Sequence, residues 1–260
     1  MPRVTAIIPT YQRPTLLQRA LRSIVAQQCP VAEIIVVDDG DSLAVTRQAV
    51  EQCGIPHLLN VLVVANARTK GASGARNTGA ALSTGELLAF LDDDDEWLPS
   101  YLCAALAQVD AQGLDLVCTD LLYRFEDGTE RPGKSAADHL AAELFLTDNP
   151  GLIGSNVIIR RSLYLALGGF DESLPTSEDM DFGIRLSLYD GVRYQPLRQR
   201  LVRHYQHTGP RLCTSHSELM WQGIRRFYQL HEHRMSSAQR QEFSRNVRYL
   251  WGLDELSLRA

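Results

Sequence analysis

The sequence predicts an α/β fold: a mostly parallel central sheet with flanking helices and a helical C-terminal stretch. Apolar runs of strand length alternate with helix-length amphipathic stretches through the first half, the pattern of βα units that feed a parallel sheet. Two of the strand-like runs end in acidic clusters, Asp38-Asp39 and Asp92 to Asp95. Ligands of open α/β sheets bind outside the carboxyl ends of the strands, so these acids are expected to face a site.

The elements follow in order. Residues 4–8 read as the first strand and lead to a helix over 14–28, whose Pro14 suits a first turn. Residues 33–37 and 58–64 read as the second and third strands. Residues 75–83 are helical, with Gly85 ending the helix. The fourth strand covers 87–91, a helix 100–112 and a strand 116–125, after which Glu126-Asp127-Gly128 forms a turn. The regular alternation stops there. Residues 151–161 read as a strand, 175–181 as a loop entering a helix, 192–206 as extended chain, and the remainder from Glu218 as helical. No internal repeat or low-complexity linker occurs. The organisation expected is one domain over 1–217, with a first half to about 125 and a second half over 126–217, followed by an extension over 218–260.

Composition sets the outer limits. At 260 residues, 45% hydrophobic and 22% charged, the chain can bury a core in one main folding unit. A net charge of −5 argues against a general nucleic-acid binder. The five cysteines, Cys29, Cys53, Cys103, Cys118 and Cys213, show no close pairing and read as reduced core thiols. No signal-peptide pattern opens the chain and no segment approaches ~20 apolar residues, so a cytoplasmic protein is expected.

Four motifs carry chemistry. Asp92-Asp93-Asp94-Asp95 follows an apolar run, and four adjacent carboxylates repel one another unless solvent or a cation neutralises them. Oxygen ligands suit magnesium or manganese, especially where phosphates supply further oxygens. The competing reading is a solvated acidic turn. Pro9-Thr10-Tyr11 and Asp38-Asp39-Gly40 lie beyond neighbouring strands, where a carboxylate can accept from a base or ribose and Tyr11 can stack; ordinary turn chemistry is the alternative.

Gly71-Ala72-Ser73-Gly74-Ala75-Arg76-Asn77-Thr78-Gly79 has neither Walker spacing nor Gly-x-Gly-x-x-Gly. Its Arg76, on the first turn of a helix, either reaches a nucleotide or sits on the surface. In Ser177-Glu178-Asp179-Met180-Asp181 the acids suit a helix start with Ser177 as N-cap. A carboxylate fixed there could also act as a general base.

Together and in this order, these elements resemble the family-two glycosyltransferases, inverting enzymes with a Rossmann-like A-type glycosyltransferase fold. The resemblance covers about residues 4–215. It implies that the block from Ala6 through Pro9, Thr10, Tyr11 and Arg13, with Asp39, holds the donor nucleoside, and that Arg76 approaches the nucleotide. Asp92 and Asp94 would bracket the donor diphosphate and a manganese or magnesium ion, with Asp93 leaving the register ambiguous by one residue. Asp179 would be the base, Glu178 the next candidate. His207, in preference to His204, would complete the metal shell.

The activity implied is transfer of a single sugar, since no Gln-x-x-Arg-Trp segment or membrane span marks a processive synthase. The donor expected is a nucleoside diphosphate sugar, UDP-linked by family precedent, and the acceptor a glycan, lipid-linked or small-molecule hydroxyl in bacterial surface-glycan synthesis. A nucleotidyltransferase would want a basic glycine-rich loop after the first strand. A silent nucleotide-sugar-binding protein would not need both Asp94 and Asp179. Trp221, Ile224, Phe227 and Tyr228, interleaved with Arg225, Arg226 and Arg234, read either as a packed amphipathic helix or as a peripheral membrane contact.

Overall fold

The computed structural model describes residues 2–206 and 218–251. In chain order the elements are β1 (Val4–Thr10), α1 (Pro14–Val25), β2 (Glu33–Asp38), α2 (Leu43–Glu51), β3 (Asn60–Ala65), α3 (Ala72–Leu82), β4 (Leu87–Phe90), β5 (Glu96–Trp97), α4 (Tyr101–Gln112), β6 (Leu116–Phe125) and β7 (Glu130–Pro132). Then come α5 (Ala142–Phe145), β8 (Val157–Arg160), α6 (Arg161–Ala166), α7 (Glu178–Leu188), β9 (Tyr194–Gln206), α8 (Glu218–His231) and α9 (Ser237–Trp251).

One sheet runs in the order β3-β2-β1-β4-β8-β6-β9-β5, with β7 paired to β6. From β3 to β4 all pairings are parallel. Beyond β4 the sheet is mixed: β8 is antiparallel to both β4 and β6, and β9 is parallel to β6. The antiparallel β8 returns the chain to the carboxyl end of β4, which brings the second half of the protein against the acidic run.

Alternate strand residues serve opposite faces, as the two-residue period of a strand requires. Ala6, Ile8, Ile34 and Val36 pack with Leu17, Leu21 and Ile24 of α1, Ala49 of α2 and Leu102 of α4. On the other face Ile35 and Val37 meet Ala75 of α3. There too Ile7, Leu88 and Phe90 join Tyr164, Phe182, Ile224, Phe227, Phe243 and Val247, so α8 and α9 share the core of α6 and α7.

Several expected elements differ. Helix α1 stops at Val25, because the side chain of Gln27 turns back to donate to Leu98 O and accept from Leu102 N–H. The strand expected over 151–161 is interrupted: a 3-10 turn at Gly154–Asn156 precedes β8, and α6 follows at once. Asn156 folds that turn by accepting from Ile153 N–H and donating to the carbonyls of Gly151 and Thr119. On α8, Ile224, Phe227 and Tyr228 are buried and Trp221 is half-buried, so most of this aromatic face packs in the core. No helix among the described residues is long and apolar enough to cross a membrane.

The reduced-thiol reading fails for two cysteines. Cys29 and Cys103 form a disulfide that ties the end of α1 to α4 across 74 residues, while Cys53 and Cys118 are free and Cys213 lies outside the described residues. Closing a loop of that length stabilises by ~4 kcal/mol in the chain-entropy model. Reduction, or Cys29→Ser, is therefore expected to lower the melting temperature by roughly 10 °C. A scan with and without reductant checks this, and identical curves would show that the pair is unbonded in the purified protein.

Candidate active site

The parallel pairing of β1 with β2 aligns Thr10 with Asp38, and Asp39 N–H donates to Thr10 O at 2.8 Å. Asp38 is buried, with Oδ1 accepting from Gly40 N–H and Oδ2 lacking any partner. Asp39 holds the next loop, since Oδ1 accepts from Asn66 Nδ2 at 2.6 Å and Oδ2 from Gly71 N–H at 2.8 Å. Pro9 is buried within β1. Tyr11 is 44% exposed with Lys70 Nζ 4.9 Å from its ring centroid, so a flat, partly open aromatic face remains beside these carboxylates.

The four acids after β4 are splayed by a tight turn, Asp95 N–H donating to Asp92 O. Their partners come from separate segments, with Arg13 shared by Asp93 and Asp94. Asp92 Oδ1 accepts from Arg76 Nη2 at 2.6 Å, and its backbone N–H donates to Ser155 Oγ. Asp93 accepts from the Thr10 hydroxyl at 2.7 Å and from Arg13 Nη1, which also reaches Asp94 Oδ2, both at 3.2 Å. Asp95 accepts from Tyr205 N–H and meets His204 Nδ1 at 3.1 Å. The alternation decides accessibility: the side chains of Asp92 and Asp94 are 29% and 17% exposed, those of Asp93 and Asp95 6% and 1%.

Electrostatics follow from this packing. Burial, reinforced by the Asp94 charge, pushes Asp93 up to about 7 against the pull of Arg13 and Thr10. Burial also raises Asp92, with Arg76 opposing. Asp95 goes the other way: burial is outweighed by the His204 charge and by hydrogen bonds from His204, Ser155 and Tyr205.

Arg76 corrects the sequence reading in its position and removes one of its two alternatives. It lies in the second turn of α3 rather than the first, and it is a buried bridge rather than a surface arginine. Nη1 donates to Glu178 Oε1 at 3.0 Å while Nη2 holds Asp92, so one guanidinium joins the acidic run to the start of α7. Gly154 makes room for it, since a Cβ there would lie 2.7 Å from Nη2. Burial disfavours the charge, but Asp92, Glu178 and Asp179 outweigh it and keep the guanidinium firmly protonated.

Asp179 follows Glu178 on α7, and its Oδ1 is buried with no hydrogen-bond partner. Ser177 occupies the N-cap position but makes no side-chain cap bond and sits at φ 66°, so capping does not account for this motif. A helix start by itself favours the ionised carboxylate, but at Asp179 other effects outweigh it. Burial and the Glu178 and Asp92 charges raise its pKa well above the carboxylate range, against Arg76 and His204.

The structure thus brings Thr10, Arg13, Arg76, Asp92, Asp93, Asp94, Glu178 and Asp179 into one connected cluster, with Pro9, Tyr11 and Asp39 beside it. His207 lies outside the described residues. Sequence reasoning missed Arg19, whose Nη2 donates to Asp94 O at 2.6 Å and whose guanidinium lies 3.6 Å over the Tyr205 ring. It also missed the Asp95–His204 pair and Ser155. A second arginine six residues after Arg13, inside α1, was the available signal for the first; the others come from distant segments.

Comparison with known proteins agrees with this architecture. A family model described as glycosyl transferase family 2 matches residues 5–168. An uncharacterized glycosyltransferase of Haemophilus influenzae is 30% identical over 192 residues, 70% of this chain and 61% of its own length. A putative colanic acid biosynthesis glycosyl transferase, WcaA of Escherichia coli, is 26% identical over 264 residues, 96% of this chain and 91% of its own length. This chain thus spans about three fifths of the first relative. Among solved structures, S. aureus TarS 1-349 in complex with UDP-GlcNAc has a TM-score of 0.69 at 20% identity, covering 98% of this chain and 74% of that one. The matched span contains β1, β2, α3 and the acidic run after β4 in the order described above, and the chain belongs to glycosyl transferase family 2.

Proposed function

We propose that this chain is an inverting, metal-dependent glycosyltransferase that moves one sugar from a nucleoside diphosphate donor, UDP-linked, to an acceptor hydroxyl in bacterial surface-polysaccharide or glycoconjugate synthesis. The observation that carries this reading is the Arg76 bridge. It joins Asp92, a donor-side carboxylate, to the helix start bearing Asp179, whose buried oxygen lacks a partner. The polysaccharide role draws support from relatives named for colanic acid and succinoglycan biosynthesis.

A divalent cation fits the residues present. Magnesium and manganese are commonly held by one or two carboxylates, with substrate phosphates and water completing the shell. Asp92 and Asp94 are the two acids of the run with side chains open to solvent, and among the described residues no larger cluster forms a protein-only cage. When bound, the cation would neutralise charge on the departing diphosphate. Tyr11 and the Asp38-Asp39 corner would hold the nucleoside, Arg13 and Thr10 would fix the acidic turn, and Asp179 would take the proton from the acceptor hydroxyl. The hydroxyl would attack the anomeric carbon opposite the diphosphate, which gives inversion.

A thermal-shift panel of UDP, TDP and GDP with and without manganese tests the donor side. A nucleotide at ~100 times its dissociation constant stabilises by ~2.7 kcal/mol, so the correct base is expected to stand out only with the metal. Asp94→Ala is expected to remove the manganese-dependent part while the ligand-free protein melts as the parent does, because one like charge has left the cluster. An undiminished shift in that variant would return Asp94 to the role of a solvated turn residue.

A further inference from the structure

Helix α7 does not start from an ordinary cap. Ser177 precedes it at φ 66° without a side-chain cap bond, a backbone state that persists only where surroundings enforce it. The enforcing contacts come from α8, in the C-terminal extension and beyond the span matched by the family model. Thr176 Oγ1 donates to Met220 O at 3.3 Å. Gly223 lets the two backbones touch: a Cβ there would lie 2.2 Å from Thr176 Oγ1 and 2.7 Å and 2.8 Å from its backbone N and O.

One helical turn inside α7, the buried carboxylate of Asp181 is shared. Its Oδ2 takes Arg185 Nε at 2.7 Å, and its Oδ1 lies 3.0 Å from His231 Nε2 at the end of α8. Arg185 in turn donates to the carbonyls of Leu167 and Gly169. Asp181 is two residues from Asp179, so the last turn of α8 and the turn after α6 together hold the segment that carries the buried, unpartnered Asp179 oxygen.

We propose that α8 is a positioning element of the active site, with His231 as a positioning residue that acts through Asp181 on the placement of Asp179. Gly223 provides the close approach that makes this possible. The proposal rests on Asp179 being the base. A displacement of about 1 Å at a reacting group can cost ~100-fold in rate, so loss of the His231 contact is expected to act on turnover rather than on donor binding.

The test compares His231→Leu with His231→Gln, which keeps an N–H donor close to the Nε2 position, and adds Gly223→Ala as an independent perturbation of the same contact. Nucleotide release from UDP-GlcNAc with manganese, water serving as acceptor, gives kcat and KM, and hydrogen exchange over residues 175–188 needs no substrate. His231→Leu and Gly223→Ala are expected to lower kcat ~10- to 100-fold at unchanged donor KM and to raise exchange in 175–188 alone, with His231→Gln close to the parent. Parent-like exchange in both perturbing variants overturns the proposal. So does a rise in exchange that extends through β1 to β4, or a His231→Gln variant as impaired as His231→Leu, since either marks a merely structural role. Asp179→Asn is run beside them: if it releases nucleotide at the parent rate the base assignment fails, while exchange still reports whether His231 holds α7.

Discussion

Asp179→Asn is expected to slow sugar transfer at least ~100-fold while donor and manganese bind nearly as in the parent, the range seen when a general base is removed. Burial and the Glu178 and Asp92 charges hold the Asp179 pKa well above the ordinary carboxylate range. Proton abstraction needs the ionised form, so activity rises with pH through that raised value and the acid limb of the rate profile lies higher than an exposed aspartate would give. The same shift has the opposite sign for stability. A carboxylate whose pKa is raised on folding opposes folding once pH exceeds its unfolded value, so the asparagine variant is expected to melt no lower than the parent at neutral pH. Initial rates against pH, with melting curves on the same samples, check both. Glu178 is the less suitable base because its Oε1 is taken by Arg76. An active Asp179→Asn variant with an unmoved acid limb would sink the assignment.

How much of this was legible depended on whether the cause was local. The runs that became β1, β2 and β4 are buried end to end, and such largely apolar stretches read as strands without tertiary information. Helix α2 buries only Thr46, Ala49 and Val50, too thin an apolar stripe to be noticed. The two-residue β5 exists only through its antiparallel partner β9, more than a hundred positions away. For the site, four adjacent carboxylates announced themselves, but their separate fates did not. Asp95 goes to His204, Asp92 to Arg76 and Asp93 to Thr10, so which acids stay open was fixed by distant segments. The Cys29–Cys103 bond is the same case, since spacing alone cannot pair residues 74 positions apart.

Arg76→Met is expected to be the most destabilising single change in the site. Its side chain is 4% exposed and bonded at once to Asp92 and Glu178, and it lies 5.1 Å from the Phe170 ring centroid. Removing one partner of a buried charge network strands the others, which typically costs ~3–5 kcal/mol. For a chain of this size that corresponds to roughly 10 °C in melting temperature. Arg76→Lys is not expected to rescue it, because a single ammonium cannot present the two-pronged geometry that spans both carboxylates. The functional consequence has a defined sign. Arg76 lowers the Asp92 pKa against burial, so its loss raises that pKa further and shifts manganese-dependent donor binding to higher pH. The coupling itself can be measured by a cycle with Glu178→Gln: residues sharing one network show interaction energies of ~0.5–3 kcal/mol, whereas independent sites add. If Arg76→Met melts with the parent and adds to Glu178→Gln without coupling, the bridge contributes nothing, and the two halves of the site are held together by packing alone.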